Sequence, residues 1–216
     1  MGNYVRANEL QQQALALAED LGDTHRLEKT LNDLAGVAMH TGDYEAASRY
    51  LARSLKSTET SGNLLNRAWS SILLGEAMLA QRQFDAAKPC FEQAAQLLRA
   101  EKSFSLLAYP VRRLGQIAFL QRQDVPTALR HYRESLDLNI AAGEIEGKAA
   151  CVAAYAQLCL HTGAVTLSLK LCAAVAAALE SQPVSPAGLR CTGIRGSPHH
   201  ATQRRRPRFP ATVDDG

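Results

Sequence analysis

The sequence predicts an all-α fold: a solenoid of antiparallel helix pairs with about 40 residues per repeat. Three observations predict it. The stretch GDYEAASRYLARSL at Gly42 returns as RQFDAAKPCFEQAA at Arg82, QDVPTALRHYRESL at Gln123 and GAVTLSLKLCAAVA at Gly163. The segment before it recurs at the same offset: LAGVAMHTGD at Leu34, LGEAMLAQRQ at Leu74, LGQIAFLQRQ at Leu114 and YAQLCLHTGA at Tyr155. Finally, 46% of the residues are hydrophobic but only 6% aromatic, so the core is mostly Ala and Leu. Both are strong helix formers, and Ala lets helices approach closely.

The elements follow in order. Residues 1–23 read as a lone helix, a half repeat, because ANELQQQALALAEDLGD aligns with ASRYLARSLKSTETSGN. Full units follow at 24–63, 64–103 and 104–144, with a degenerate one at 145–182. Their joints are LGD (21–23), SGN (61–63), EKS (101–103) and AGE (142–144). Each unit holds two helical segments joined by a short turn. Gly42 and Gly163 sit where a first helix must end in a left-handed residue. Asp43, Asp85 and Asp124 are placed to cap the second helices. Pro126 and Pro89 fall in or near the first turn of second helices, which tolerates proline. Pro110 predicts a late start or a kink in the first helix of the third unit. One hairpin cannot bury its own apolar face, so the units must stack.

These residues resemble the tetratricopeptide repeat. Leu34-Ala35, Leu74-Gly75, Leu114-Gly115 and Tyr155-Ala156 stand at its Leu-Gly pair. Asp43-Tyr44 and Gln83-Phe84 stand at its turn. Ala47, Ala87 and Ala128 take its small position, and Leu51, Phe91 and Tyr132 its large one, with Ser168 and Cys172 in the degenerate copy. The resemblance covers residues 4–182 and implies a right-handed superhelix whose first helices line the concave surface. The long period and the LG(D/N) joints are also similar to the C-terminal repeat region of LuxR- and AfsR-type bacterial regulators, as is the ending LKLCAAVAAALESQPVSPAG. That similarity implies the repeat arm of a signalling or transcriptional regulator. A chain that opens on a lone second helix is then expected to be a fragment.

Charge separates the body from the end. The chain has 24 basic and 21 acidic residues, and six Arg and two Asp lie from Ala187 onward. Residues 1–186 therefore hold 18 basic and 19 acidic residues, a net charge of −1. Such a body carries no electrostatic footprint for nucleic acid. Residues 183–216, including QRRRPRFPATVDDG, cannot build a core and are expected to be disordered. Two readings of this stretch stay open: a basic patch that makes the chain a DNA-associated regulator, or a non-native, frame-shifted end.

Chemistry-bearing motifs are sparse. The string GEIEGKAA (143–150) falls one residue short of a phosphate-binding loop, lacks its hydroxyl and lies between helices. The histidines contain no HExxH; His40 and His161 sit beside TG at equivalent first-helix ends, where a helix C-terminus favours them. The five Cys show no CxxC spacing, and Cys90, Cys151, Cys159 and Cys172 fall on apolar helix faces. Asp33, Glu76 and Glu134 are scattered singly, without a converging acid–base pair. No enzyme activity, metal or cofactor is expected. The apolar region from Ala149 to Leu179 is broken by Gln157, His161 and Lys170, which argues against a membrane span. The expected compartment is the cytoplasm.

Carried over by register, the concave face of such a repeat places Lys29, Asn32, Asp33, Trp69, Tyr109, Arg112, Gln116 and Gln157 toward a protein or peptide partner. Asn and Gln can hold an extended backbone, Arg can pair with a carboxylate, and Trp supplies apolar area. The alternative reading, favoured for the polar residues, is ordinary helix surface; for Trp69 it is a cover over the neighbouring hairpin. Packing between repeats falls to Leu34, Ala35, Tyr44, Ala47, Leu74, Gly75, Phe84, Ala87, Phe91, Leu114, Gly115, Ala128 and Tyr132. A homo-oligomer is left open.

Overall fold

A computed structural model describes residues 2–180. The Arg/Pro-rich stretch from 183 onward, and any expectation placed on it, lies outside the described residues. Helices α1 (Gly2–Asp20), α2 (Thr24–His40), α3 (Tyr44–Ser61), α4 (Leu64–Ala80) and α5 (Phe84–Ala100) come first. Then follow α6 (Phe104–Arg122), α7 (Val125–Ala142), α8 (Ile145–His161) and α9 (Val165–Glu180). The described residues contain no strand. Successive helices pack as antiparallel neighbours, and the array is a tetratricopeptide-like α-solenoid.

Local chemistry sets the boundaries. Asp43 and Asp124 cap α3 and α7, accepting from the backbone N–H of Ala46 at 2.9 Å and of Thr127 at 3.1 Å. Asp23 and Asn63 do the same for α2 and α4. Asp85 does not cap. The N-cap of α5 is Gln83, and Asp85 lies inside the first turn, where its carboxylate accepts from Gln121 Nε2 at 2.6 Å. Gly42 and Gly163 follow their helices at φ +80° and +81°, which explains glycine there. Pro110 neither delays nor divides α6, which runs from Phe104; the ring is buried in the helix interior. Pro89 likewise lies inside α5, past its first turn, with its ring exposed.

The small and large repeat positions meet face to face. A Cβ on Gly75 would lie 2.8 Å from Phe91 Cζ, and one on Gly115 would lie 2.7 Å from Tyr132 Cε1. Ala35 and Leu51 share the corresponding cluster in the first hairpin. Ala47, Ala87 and Ala128 are fully buried; Tyr44, Leu74, Phe84 and Leu114 are half-buried. The degenerate last hairpin departs from this: Ser168 is buried and donates to the Ala156 carbonyl, but Cys172 is exposed where Leu51, Phe91 and Tyr132 are buried.

The joints between hairpins differ in chemistry. Between the second and third, Ala94, Ala95, Leu98, Leu107 and Val111 form a continuous apolar core. Between the first and second, the fully buried Glu28 accepts from Ser61 Oγ at 2.5 Å, Asn66 Nδ2 at 2.8 Å and Ser57 Oγ at 3.3 Å. Ser54 and Ser70 extend this seam to Asn32. Between the third and fourth, Ser135, Asn139 and Cys151 hold equivalent places, with Ser135 Oγ donating to the Ala108 carbonyl at 2.6 Å. Asn139 presses on Gly147, where a Cβ would sit 1.8 Å from Oδ1. Polar joints thus flank an apolar one.

The backbones of α2 and α4, and of α6 and α8, approach one another across the repeats, while no pair of second helices makes a comparable approach among the described residues. Together with the Glu76–Arg113 pair that bridges α4 and α6, these approaches place the first helices side by side as the inner layer.

Candidate binding face on the first helices

The repeat offset arranges the inner layer in rows. Lys29, Trp69, Tyr109 and Ala150 occupy one; Gly36, Glu76, Gln116 and Gln157 another, two turns further along each helix. Between them run Asn32, Ile72, Arg112 and Ala153, and Asp33, Leu73, Arg113 and Ala154.

A polar cluster joins α4 to α6. Arg113 Nε lies 2.7 Å from Glu76 Oε1, and Nη2 donates to Oε2 at 2.8 Å. The Nε approach is short but off-axis for a hydrogen bond, so the Nη2 bond is directional and the other contact is Coulombic. Nη2 also donates to the Tyr109 hydroxyl at 3.0 Å, and Nη1 to Gln116 Oε1 at 2.6 Å. The guanidinium groups of Arg112 and Arg113 both stand over the Tyr109 ring, 5.3 and 5.1 Å from its centroid.

Burial dominates the electrostatics. It pushes the Glu76 carboxyl above its ordinary range, with Arg113 opposing the shift. Burial alone would lower Arg113, but Glu76 and Tyr109 hold it above its ordinary value. The two shifts pull apart: Arg113 gains from the pair, while Glu76 still loses more to desolvation than the pair returns. A carboxylate with a side chain only 17% exposed supports that direction. Burial and the neighbouring Arg113 charge lower Arg112. Burial also raises the Tyr109 hydroxyl, reinforced by Glu76, and raises the Asp33 carboxyl, opposed by Lys29.

The structure brings Tyr109, Arg112 and Gln116 together and adds Glu76 and Arg113, which are absent from the face expected by sequence. Register could have found both: Arg113 aligns with Asp33, and Glu76 with Gln116 and Gln157. Lys29 and Gln157 are exposed, and Asp33 is half-buried. Trp69 is half-buried against both the cluster of the first hairpin and the apolar core that joins the second and third. Asn32 is a correction. It is only 4% exposed, and its Oδ1 accepts from Ser70 at 2.9 Å, so it belongs to the polar seam and not to the open face. His40 and His161 acquire aromatic neighbours, with His40 stacked on Tyr4 and His161 edge-on to Phe119. Among the described residues, no three His, Cys, Asp or Glu side chains gather as metal ligands, and no helix is long and apolar enough to cross a membrane.

Residues 26–100 match the family model of the tetratricopeptide repeat. The fold agrees with solved tetratricopeptide-like arrays over most of the chain. The crystal structure of BtubC (BKLC) from P. vanneervenii is similar at 17% identity and a TM-score of 0.72, covering 91% of this chain and 82% of that one. The kinesin light chain TPR-like repeats from Podosopora anserina align at 18% identity and a TM-score of 0.63, covering 85% and 90%. MamA aligns at 16% identity and 0.56, covering 83% and 90%. At these identities the likeness concerns the fold. No curated protein matches the chain.

Proposed function

We propose that the chain is a non-catalytic scaffold that binds a protein or peptide along the inner face of its first helices. The observation that carries this reading is the cluster of Tyr109, Arg112, Arg113, Glu76 and Gln116. It is a half-buried, internally braced polar patch on the inner layer, and its Tyr109 shares a row with the half-buried Trp69. Aromatic and Arg side chains held rigidly in a recess are the usual anchors of a protein interface. Lys29, Asp33 and Gln157 extend the face to its two ends. In this reading the scaffold is the cytoplasmic repeat arm of a bacterial signalling or transcriptional regulator, which the joints and the ending resemble. The DNA-associated alternative depends on the Arg-rich stretch beyond the described residues, and nothing supports it.

Selection from a random octapeptide library on the immobilised full chain tests the proposal. Trp69→Ala should weaken the selected peptides about tenfold or more, the usual scale of an aromatic anchor. Selected peptides that bind Trp69→Ala and Tyr109→Ala variants as tightly as the parent would sink it.

A further inference from the structure

Helix α1 carries apolar side chains on two sides. One side holds it to the fold: Leu15 and Ala18 are buried, and Leu15 joins Leu31 and Leu34 of α2 in one cluster. Beside it, Gln12 Nε2 donates to the Tyr50 hydroxyl of α3 at 2.7 Å, and Glu19 pairs with Arg53 of the same helix. The other apolar side is open. Ala7, Leu10, Ala14, Leu17 and Leu21 recur at alternating steps of three and four residues, with Leu21 just past the helix end. Leu10, Leu17 and Leu21 are 55%, 54% and 67% exposed; Ala14 is exposed and Ala7 half-buried. That alternation is the seam of a coiled coil, a row of side chains spaced to meet a second helix.

The order along the seam points to its partner. Small and large residues alternate: Ala7, Leu10, Ala14, Leu17. Against a parallel copy in register, Ala would meet Ala and leave a gap in every other layer. Turned antiparallel about a two-fold axis, Leu10 meets Ala14 of the second copy and Leu17 meets its Ala7, so every layer joins a large residue to a small one. The polar flank agrees. Arg6, Gln13 and Asp20 are exposed, stand one heptad apart and border the seam on one side. The same antiparallel register sets Arg6 against Asp20 of the second copy, Asp20 against its Arg6, and the two Gln13 side chains together at the axis. A parallel pair would gather like charges at each end.

We propose that α1 pairs antiparallel with α1 of a second copy of this chain, through the Leu/Ala seam and the two Arg6–Asp20 pairs. Complementarity in both size and charge under one two-fold rotation carries the choice of a second copy, because an isologous interface must match itself. Helix α9 also exposes Val165, Leu167 and Leu169, but Lys170 is the one charge between Val165 and Leu179, so that surface has no such register. The seam spans roughly 22 Å of helix. That is small for a specific interface, so the association depends on concentration. None of the seam residues belongs to the inner layer of first helices, so the pairing is independent of binding there.

Sedimentation equilibrium of the full chain across micromolar concentrations tests the pairing. The parent should pass from monomer to dimer. Leu10→Gln/Leu17→Gln should weaken the dimer at least about tenfold, since it removes apolar area that only the dimer buries. Arg6→Asp sets Asp against Asp at both ends, and Asp20→Arg sets Arg against Arg; each alone should dimerise about tenfold more weakly than the parent. An equimolar mixture of these two variants should recover the parent affinity as a heterodimer, because each end then joins opposite charges. A folding defect cannot produce that rescue. A parent that stays monomeric overturns the proposal and assigns the seam to another occupant. A dimer indifferent to the leucine substitutions, or charge variants that mixing does not rescue, overturns it as well.

Discussion

Arg113 on α6 reaches back one repeat to Glu76 on α4, and the two side chains, 20% and 17% exposed, form an ion pair across the inner layer. Removing one partner leaves the other charge desolvated. Arg113→Met should therefore lower stability by about 2–3 kcal/mol, below the usual cost for a fully buried pair. The double variant Glu76→Leu/Arg113→Met should recover most of that loss. Urea unfolding of the two variants and the parent checks both values; an additive double variant would show that the pair is uncoupled.

The same burial gives a pH signature. Glu76 titrates above its ordinary value of 4.5 in the folded chain, chiefly because burial disfavours its charge. The folded state therefore holds this proton more tightly than the unfolded one. Its contribution is full below pH 4.5 and is lost as the pH rises through the raised folded value. The stability difference between the parent and Glu76→Gln should change in that window and flatten on both sides. Thermal melts from about pH 4 to about pH 8 measure it, and a constant difference across the range would contradict the shift.

Much of this architecture is legible in the sequence, and the reasons are local. A glycine at 75 and 115 with an aromatic 16 or 17 residues later, on the next helix, is a steric statement, and the structure fills each gap with Phe91 or Tyr132. Gly42 and Asp43 declare their turn through left-handed backbone and capping chemistry alone. Side chains that answer to a partner two helices away are less legible. Asn32 looks like a surface amide until Ser70 is placed against it. Glu28 gives no sign that α3 and α4 will surround it with hydroxyl and amide donors. Asp85 has a capping residue's composition but lies past the cap and meets Gln121 instead. Periodicity assigns faces; it does not distinguish an outward polar residue from one sealed in a joint.

Helical glycines should separate by what faces them. Gly115→Ala forces a methyl group against Tyr132 Cε1 at 2.7 Å and the Ala128 carbonyl oxygen at 3.1 Å, and should destabilise by about 1–3 kcal/mol. Gly36→Ala meets nothing within 4 Å and should stabilise by about 0.5–1 kcal/mol through helix propensity. Chemical denaturation of both variants tests the contrast, and a stabilising Gly115→Ala would contradict the packing described for this hairpin.

The seam around Glu28 predicts a further asymmetry. Glu28→Leu strips the Asn66 amide and two serine hydroxyls of their acceptor and should cost about 2–4 kcal/mol. Glu28→Gln keeps one acceptor oxygen and should cost about 1 kcal/mol. Hydrogen exchange should report faster opening at α2 and the start of α4 in Glu28→Leu, with the apolar joint of α5 and α6 least affected. Uniform acceleration across all helices would argue against separate joints.

The central claim is that partners bind the inner face of the first helices. Chemical-shift mapping of a library-selected octapeptide on the labelled chain tests it directly, through the Trp69 indole N–H, the side-chain amides of Gln116 and Gln157, and the guanidinium of Arg112. The account predicts perturbations that run along α2, α4, α6 and α8 and peak between Trp69 and Arg112. Perturbations confined to the second helices α3, α5 and α7 would contradict it.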